Sequence, residues 1–491
     1  MSVISPIQDL LNRYDTAGPR YTSYPPAPHF REGFPASQYE HILATLREDA
    51  ASGSGDQEKS GSPIPLSLYI HLPFCDTLCY FCGCNMLISN DREKIHNYVE
   101  YLKREISMVA ERLGDGSRFT VTQMHWGGGS PTHLLPSEIE DLGGHLRRQF
   151  RFDASAEVSI EVDPRGFTIE HALALNAVGF NRASVGVQDF FPDTQWAVNR
   201  IQPYEMTAEV ITLLRRHGIK SVNIDLIYGL PYQTIGTFRT TLDQVLTLKP
   251  ERLAVYNFAY VPWVKPHQKV IQIDTLPQSD KKIALHYSTI DRFTQAGYEY
   301  IGMDHYAKAN DELAVAQRDG TLQRNFQGYS TKSGTRMIGF GISSIGKITA
   351  GGRTTFVQNF KGLDRYYAAI EAGELPVDKG YEMTKEDLLR ECVISQIMCH
   401  MSVNVKSIEH HYGIEFASHF ASAFKTLQPM IDDRLIDLRY INGELQEIVV
   451  TKLGKLFLRN IAMAFDAYLP AASTPAPHLA QPVIPIYSRT I

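Results

Sequence analysis

Four of the chain's six cysteines lie within ten residues, in "YIHLPFCDTLCYFCGCN" (Tyr69–Asn85). Thiols this dense, in a chain otherwise poor in them, point to a metal site in a reducing compartment. Cys75, Cys79 and Cys82 are spaced C-x3-C-x2-C, and Cys84 adds a C-x-C. Structural zinc takes four ligands, often as two separated pairs, and no second C-x2-C pair occurs elsewhere. Iron–sulfur cubanes are held by thiolates, and three thiolates from Cys75, Cys79 and Cys82 leave one iron open to a substrate or cofactor. Cys84 stands one residue from Cys82, which makes a shared place on one small cubane awkward. A zinc knot and a four-thiolate electron-transfer cluster are the alternatives. Cys392 and Cys399, seven residues apart on one face of a later helical pattern, read as packed thiols.

Other residues of chemical interest follow at regular intervals. "HWGGGSPT" brings Gly127, Gly128 and Gly129 to a turn where backbone groups can approach a ligand closely; a tight loop is the plainer account. Glu161, Gln188 and Asp225 are polar positions in otherwise apolar runs. They suit either local hydrogen bonding or recognition of an ammonium, ribose hydroxyls and a carboxylate. Arg200 offers a fork of donors to a carboxylate. His71, two residues after Tyr69, shares its strand face and reads equally as an outer-shell group of the metal site or a core histidine.

The elements that must position these groups form a rhythm. Strand-like runs at 66–72, 122–127, 156–162, 181–187, 221–227 and 252–258 alternate with helical patterns. This predicts βαβ units, a parallel sheet and an α/β fold of the incomplete (β/α)6 barrel type. A full eight-stranded barrel is the variant in which Tyr298–Tyr306 and later segments join. In either form the reactive groups belong at the C-terminal strand ends. Before the barrel lie an N-terminal arm (1–48), with "GPRYTSYPPAPHF" laid over another surface, and a Gly/Ser-rich linker (49–65). The barrel and its extension cover 66–375. A mostly helical, winged-helix-like domain is expected over 376–470, with a helix capped at Thr384 and a hairpin turning at Asn442-Gly443. An extended tail occupies 471–491.

Hydrophobic content of 43%, charged content of 21% and a net charge of -6 are ordinary for a globular chain and argue against a general nucleic-acid surface. No secretory leader and no apolar run long enough to span a bilayer are read in the sequence, so a cytoplasmic protein is expected.

The cysteine segment, together with "GPRYTSYP", "HWGGGSPT", "EVDPRG", "GVQDF", "DLIYGLPYQT", "IGMDHYA", "RNFQGYST" and "RNIAMAFDAYL", resembles the oxygen-independent coproporphyrinogen III oxidase (dehydrogenase) branch of the radical S-adenosylmethionine superfamily. The resemblance runs from Gly18 to beyond Asp466. The C-x-C extension and the arm set it apart from the related haem-chaperone branch. The resemblance implies one [4Fe-4S] cluster on Cys75, Cys79 and Cys82, and two molecules of S-adenosylmethionine. Matching cofactor-contacting positions are Tyr69, Phe81, Gly128, Gly129, Ser130, Glu161, Gln188, Arg200, Asp225, Ala259 and Ile345; Ser130 is usually threonine in the family. The implied substrate is coproporphyrinogen III, two propionates of which become vinyl groups in haem biosynthesis. Candidates to orient it are Arg20, Arg165, Asp304, His305, Arg324 and Lys332, with the arm as a lid. No protein general acid or base is assigned, and Cys84 and His71 remain outer-shell candidates. Implied partners are a low-potential donor such as flavodoxin or ferredoxin and an unidentified electron acceptor, with no nucleic acid, no membrane span and a monomeric state. The rivals are another radical or haem-handling enzyme on this barrel and a zinc-stabilised binding protein.

Overall fold

The strand-and-helix rhythm is realised in the computed structural model, which describes residues 4–52, 62–469 and 487–490. Six strands, β1 (Ile64–Leu72), β2 (Phe119–Gly128), β3 (Phe152–Val162), β4 (Arg182–Gln188), β5 (Ser221–Tyr228) and β6 (Arg252–Asn257), follow one another. Each pairs in parallel with the next. Helices cross over between them, the longest being α1 (Arg92–Leu113). That helix starts where Asp91 accepts from the Lys94 N–H at 3.1 Å and stops at Gly114, whose φ is 75°. Its Ile95, Val99, Leu102, Ile106, Val109 and Leu113 recur at helical spacing and are all buried.

A seventh parallel strand comes from late in the chain: Arg336–Phe340 pairs with β1, placing Gly339 beside Tyr69. Antiparallel strands Ile345–Ala350, Arg353–Asn359, Val377–Glu382 and Arg31–Glu32 extend that edge. On the other edge Tyr298–Gly302 and His305–Lys308 join, but as an antiparallel hairpin against β6. Among the described residues, the thirteen-stranded sheet therefore ends in two edges and does not close. The incomplete barrel is the observed form, not the eight-stranded variant.

Strand alternation sorts the side chains between two faces. Val158, Ile160 and Val162 of β3, Val185 and Val187 of β4, and Ile224 and Leu226 of β5 are buried in the main apolar cluster. Their neighbours Glu157, Ser159, Glu161, Ser184, Asn223 and Asp225 line the lumen instead.

The C-terminal part follows its local signals. Thr384 accepts from the Asp387 N–H at 3.1 Å and caps the helix Lys385–His400. Ile436–Ile441 and Glu444–Val450 form a hairpin through Asn442 and Gly443, with φ of 53° and 84°, as a type I′ turn requires. Cys399 is buried and Cys392 half-buried on the helix. Tyr14, Tyr21 and Tyr24 of the arm are buried in the same apolar cluster as Ile397, Phe457 and Phe465. Tyr21 donates to Asp466 at 2.9 Å, and Arg459 donates to the Pro19 carbonyl at 3.1 Å. Of the expected linker, residues 49–52 complete the helix Ala36–Ser52, 64–65 already belong to β1, and 53–61 lie outside the described residues. Most of the expected tail also lies outside them; Arg489 bridges Ala17. Among the described residues, no helix is long and apolar enough to cross a membrane.

Candidate active site

The cysteine segment leaves the C-terminal end of β1 and is stapled at both ends. The Leu87 N–H donates to the Pro73 carbonyl (2.8 Å) and the Ser89 N–H to the Cys75 carbonyl (3.0 Å). His71 Nε2 lies 2.9 Å from the Asn85 carbonyl and Nδ1 lies 3.1 Å from the Tyr69 hydroxyl. A neutral ring satisfies both by donating from Nε2 and accepting at Nδ1, and burial lowers the His71 pKa in keeping with that form. From the far side, Lys265 donates to the Cys84 carbonyl (2.7 Å) and His267 Nε2 meets the Cys82 carbonyl at 2.8 Å.

All four clustered cysteines line one cavity of about 340 Å³. Cys79 is buried, Cys75 and Cys82 half-buried, Cys84 exposed. Ser130 Oγ approaches Cys75 Sγ at 3.5 Å, while burial pushes the Cys75 thiol up to about 12. A hydrogen bond from Cys84 is the main cause that holds the Cys82 thiol down to about 7. Among the described residues, no group of three or more His, Cys, Asp or Glu side chains is drawn together around one metal ion.

The same cavity collects the polar strand ends: Gly128, Gly129, Ser130, Glu161, Gln188, Arg200 and Asp225, with Phe81 from the cysteine segment. The Gly128 N–H donates to Glu161 at 3.1 Å. A Cβ at Gly129 would lie 2.5 Å from the Pro73 carbonyl oxygen, and one at Gly128 would meet the His71 ring at 2.6 Å. The glycines thus let the β2 turn lie directly on the base of the cysteine segment. Asp225 accepts from Ser184 (2.5 Å) and Asn223 (2.8 Å), and burial raises its pKa to about 6. Gln188 holds a φ of 65°, and its Oε1 is buried without a partner among the described residues.

Arg200 lines the cavity, but its fork is already engaged. Its terminal nitrogens meet the two oxygens of Asp163 at 3.1 and 3.2 Å, leaving Nε buried and unpartnered among the described residues. Asp163 also takes Arg165 at 2.7 Å. Both guanidinium groups reach Cys79 Sγ, at 3.5 Å from Arg165 and 3.6 Å from Arg200. Asp163 is the residue that the sequence reading missed. Its signal was position: it stands two residues after Glu161, just past the end of β3, in "EVDPRG".

Other candidates lie around the cavity or away from it. Tyr69 stacks on His125, their ring centroids 6.0 Å apart. Ala259 lines a second cavity, and Gln268 Nε2 ties its carbonyl (3.1 Å) to that of Phe81 (3.2 Å). Ile345 packs with Phe30, Phe356 and Met383, and its carbonyl lies against Gly339, the β-partner of Tyr69. Arg20 is paired with Asp304 and lies over the Tyr256 ring at 5.6 Å. His305 is held to about 3 by burial and then by Arg324, which itself lies over the Tyr329 ring at 4.8 Å. Lys332 acts on Asp153 and Glu157, lower on β3 than the cavity carboxylate Glu161.

Three comparisons bear on this arrangement. The Radical SAM superfamily profile matches residues 69–245, from β1 through the helix after β5. The oxygen-independent coproporphyrinogen III oxidase of Synechocystis sp. is 41% identical over 465 residues, covering 94% of this chain and 95% of the relative. The chain belongs to the oxygen-independent coproporphyrinogen III oxidase family. The family's member from Escherichia coli K12 is 41% identical over 460 residues, covering 94% and 95%. A solved structure of coproporphyrinogen III oxidase from Escherichia coli, described as a radical SAM enzyme, superimposes with a TM-score of 0.83. It is 40% identical, covering 92% of this chain and 98% of that one. Membership of this family implies an iron–sulfur cluster and S-adenosylmethionine.

Proposed function

We propose that the chain catalyses the oxygen-independent oxidative decarboxylation of two propionates of coproporphyrinogen III, giving the vinyl groups of protoporphyrinogen IX. The observation that supports this most directly is the shared cavity, where Cys75, Cys79 and Cys82 meet Glu161, Gln188 and Asp225. The donor set fits the implied groups. Soft thiolates suit iron–sulfur chemistry, and the unpartnered Gln188 Oε1 and Arg200 Nε are what a polar cofactor would satisfy. On this reading Cys75, Cys79 and Cys82 hold one [4Fe-4S] cluster, and the strand-end residues hold two S-adenosylmethionine molecules. When bound, these groups supply a 5′-deoxyadenosyl radical able to take hydrogen from a propionate β-carbon.

The chain's own residues position and exclude. The Gly128 N–H and Glu161 fix the loop under the cofactor. Asp225, held by Ser184 and Asn223, presents a carboxylate to ribose hydroxyls. Asp163 holds Arg165 and Arg200 against Cys79. The arm of residues 1–48 acts as the lid, and the segments 66–375 and 376–470 as barrel and helical domain. We assign a low-potential protein donor, a separate electron acceptor, a monomeric state and a cytoplasmic setting to the same reading.

The test is anaerobic incubation with reductant, S-adenosylmethionine, coproporphyrinogen III and a one-electron acceptor, following CO2 and 5′-deoxyadenosine together. Both should appear and depend on the tetrapyrrole. Deoxyadenosine without CO2 would reject the substrate, and neither product from an iron-loaded chain would reject the reaction.

A further inference from the structure

A second cavity of about 340 Å³ lies beside the cysteine cavity. Four separate segments build it: the arm through Ala17 and Arg20, the loop after β6 through Ala259 and Trp263, the helix Ser279–Gln295 through Lys282, and residues 487–489. One wall divides the two cavities. Tyr256 lines the cysteine cavity and carries Arg20 on its ring at 5.6 Å, and Gln268 ties Ala259 to Phe81.

Among the described residues, three cations line this second cavity, and two are already paired. Arg20 is bound to Asp304, and Arg489 to Asp15 at 2.6 Å. Lys282 has no ion pair among the described residues. Burial, the largest effect on it, disfavours its charge, opposed by Asp15, the carboxylate already engaged by Arg489. It converges with Asn257 over Gly229. A Cβ there would meet Lys282 Cε at 3.1 Å and Asn257 Oδ1 at 3.5 Å, and Gly229 has a φ of 87°. That Asn257 oxygen is itself buried without a partner among the described residues. An ammonium group in a cavity lined by Phe258, Tyr260 and Trp263, beside an amide oxygen that can only accept, suits an amphipathic ring compound that offers a carboxylate to Lys282 and an N–H to Asn257.

We infer that this cavity is a substrate subsite, in which Lys282 binds a propionate arm other than the one reacting at the cysteine cavity. The inference rests on the function proposed above and adds to it a specificity group outside the cofactor site. A macrocycle with carboxylates on several rings can reach both sides of the Tyr256 wall, and a fixed remote arm orients the reacting one.

The test uses the full chain and two air-stable probes, coproporphyrin III and its tetramethyl ester, titrated by fluorescence. Lys282→Met should weaken coproporphyrin III binding about tenfold, the loss of one charge-assisted contact. Lys282→Arg should restore binding to within about threefold. The ester should bind the unmodified chain and Lys282→Met alike. Under turnover, Lys282→Met should lower kcat as well as raise KM, because the reacting arm loses its orientation. Equal coproporphyrin III affinity for Lys282→Met and the unmodified chain would overturn the subsite while leaving decarboxylation intact. An unmodified chain that neither binds the probe nor releases CO2 would overturn both.

Discussion

At the residue scale, each cysteine has a different environment, and that makes their roles separable. Ala substitution of Cys75, Cys79 or Cys82 should abolish cluster assembly, read as iron and sulfide content after anaerobic reconstitution. Cys84→Ala should keep the iron, because Cys84 acts on Cys82 by hydrogen bonding. Asp163 carries a second prediction. Burial opposes its charge, but Arg200 and Arg165 prevail and hold its pKa below the usual carboxylate value. A carboxylate of depressed pKa adds stability above its unfolded pKa, and that stability fades as pH falls through the folded value. Asp163→Asn should therefore destabilise at pH 7 by about 3 kcal/mol, the order expected when a buried pair loses one partner. The gap from the unmodified chain should close below pH about 4, as measured by thermal unfolding across pH.

At the element scale, the ends of β1 and β2 must touch for the site to exist. Gly129→Ala would place a Cβ 2.5 Å from the Pro73 carbonyl oxygen. The turn must shift, at a cost of about 1–3 kcal/mol, so reconstituted iron content should fall although no ligand is changed. The helix α1 pins the end of the strand Arg336–Phe340, which pairs with the other side of β1. Its Glu105 accepts from the Gly341 N–H (2.7 Å), Asn359 (2.6 Å) and the Tyr366 hydroxyl (2.6 Å), and burial raises it to about 7. A raised carboxylate means that the folded state binds the extra proton. Stability is then fully present below the unfolded pKa and declines as pH rises towards 7. Glu105→Gln should remove that decline between pH 4.5 and 7, seen as a flatter pH dependence of the unfolding midpoint than in the unmodified chain.

At the scale of the whole molecule, the arm does more than cover a site. Tyr14, Tyr21 and Tyr24 are part of the C-terminal apolar cluster, and each large buried side chain of this kind contributes about 1.5–3 kcal/mol. Deleting residues 1–30 should lower the unfolding midpoint and expose apolar surface to a dye such as ANS, besides any effect on turnover. Unchanged stability, substrate affinity and turnover in the deletion would remove both the packing role and the lid. Arg20 belongs to this scale too, since its partner Asp304 lies in another part of the chain.

Local chemistry was legible in the linear sequence. The C-x3-C-x2-C spacing, the strand alternation that sends Glu161 and Asp225 to the lumen, the cap at Thr384 and the turn at Asn442-Gly443 depend on near neighbours and on fixed periods. Long-range pairing was not legible. Nothing near Arg200 announced that Asp163 would occupy its fork. Nor did the hydropathy of Tyr298–Tyr306 reveal an antiparallel hairpin, in place of further barrel strands. Ile345 reads in sequence as an ordinary core residue, and only pairing in space carries its carbonyl against Gly339, beside Tyr69. Residue type and spacing therefore determined which chemistry the chain can support. Tertiary packing decided which charges were already neutralised and which, like Lys282, were left available, because a partner's identity depends on distance in space and not on separation along the chain.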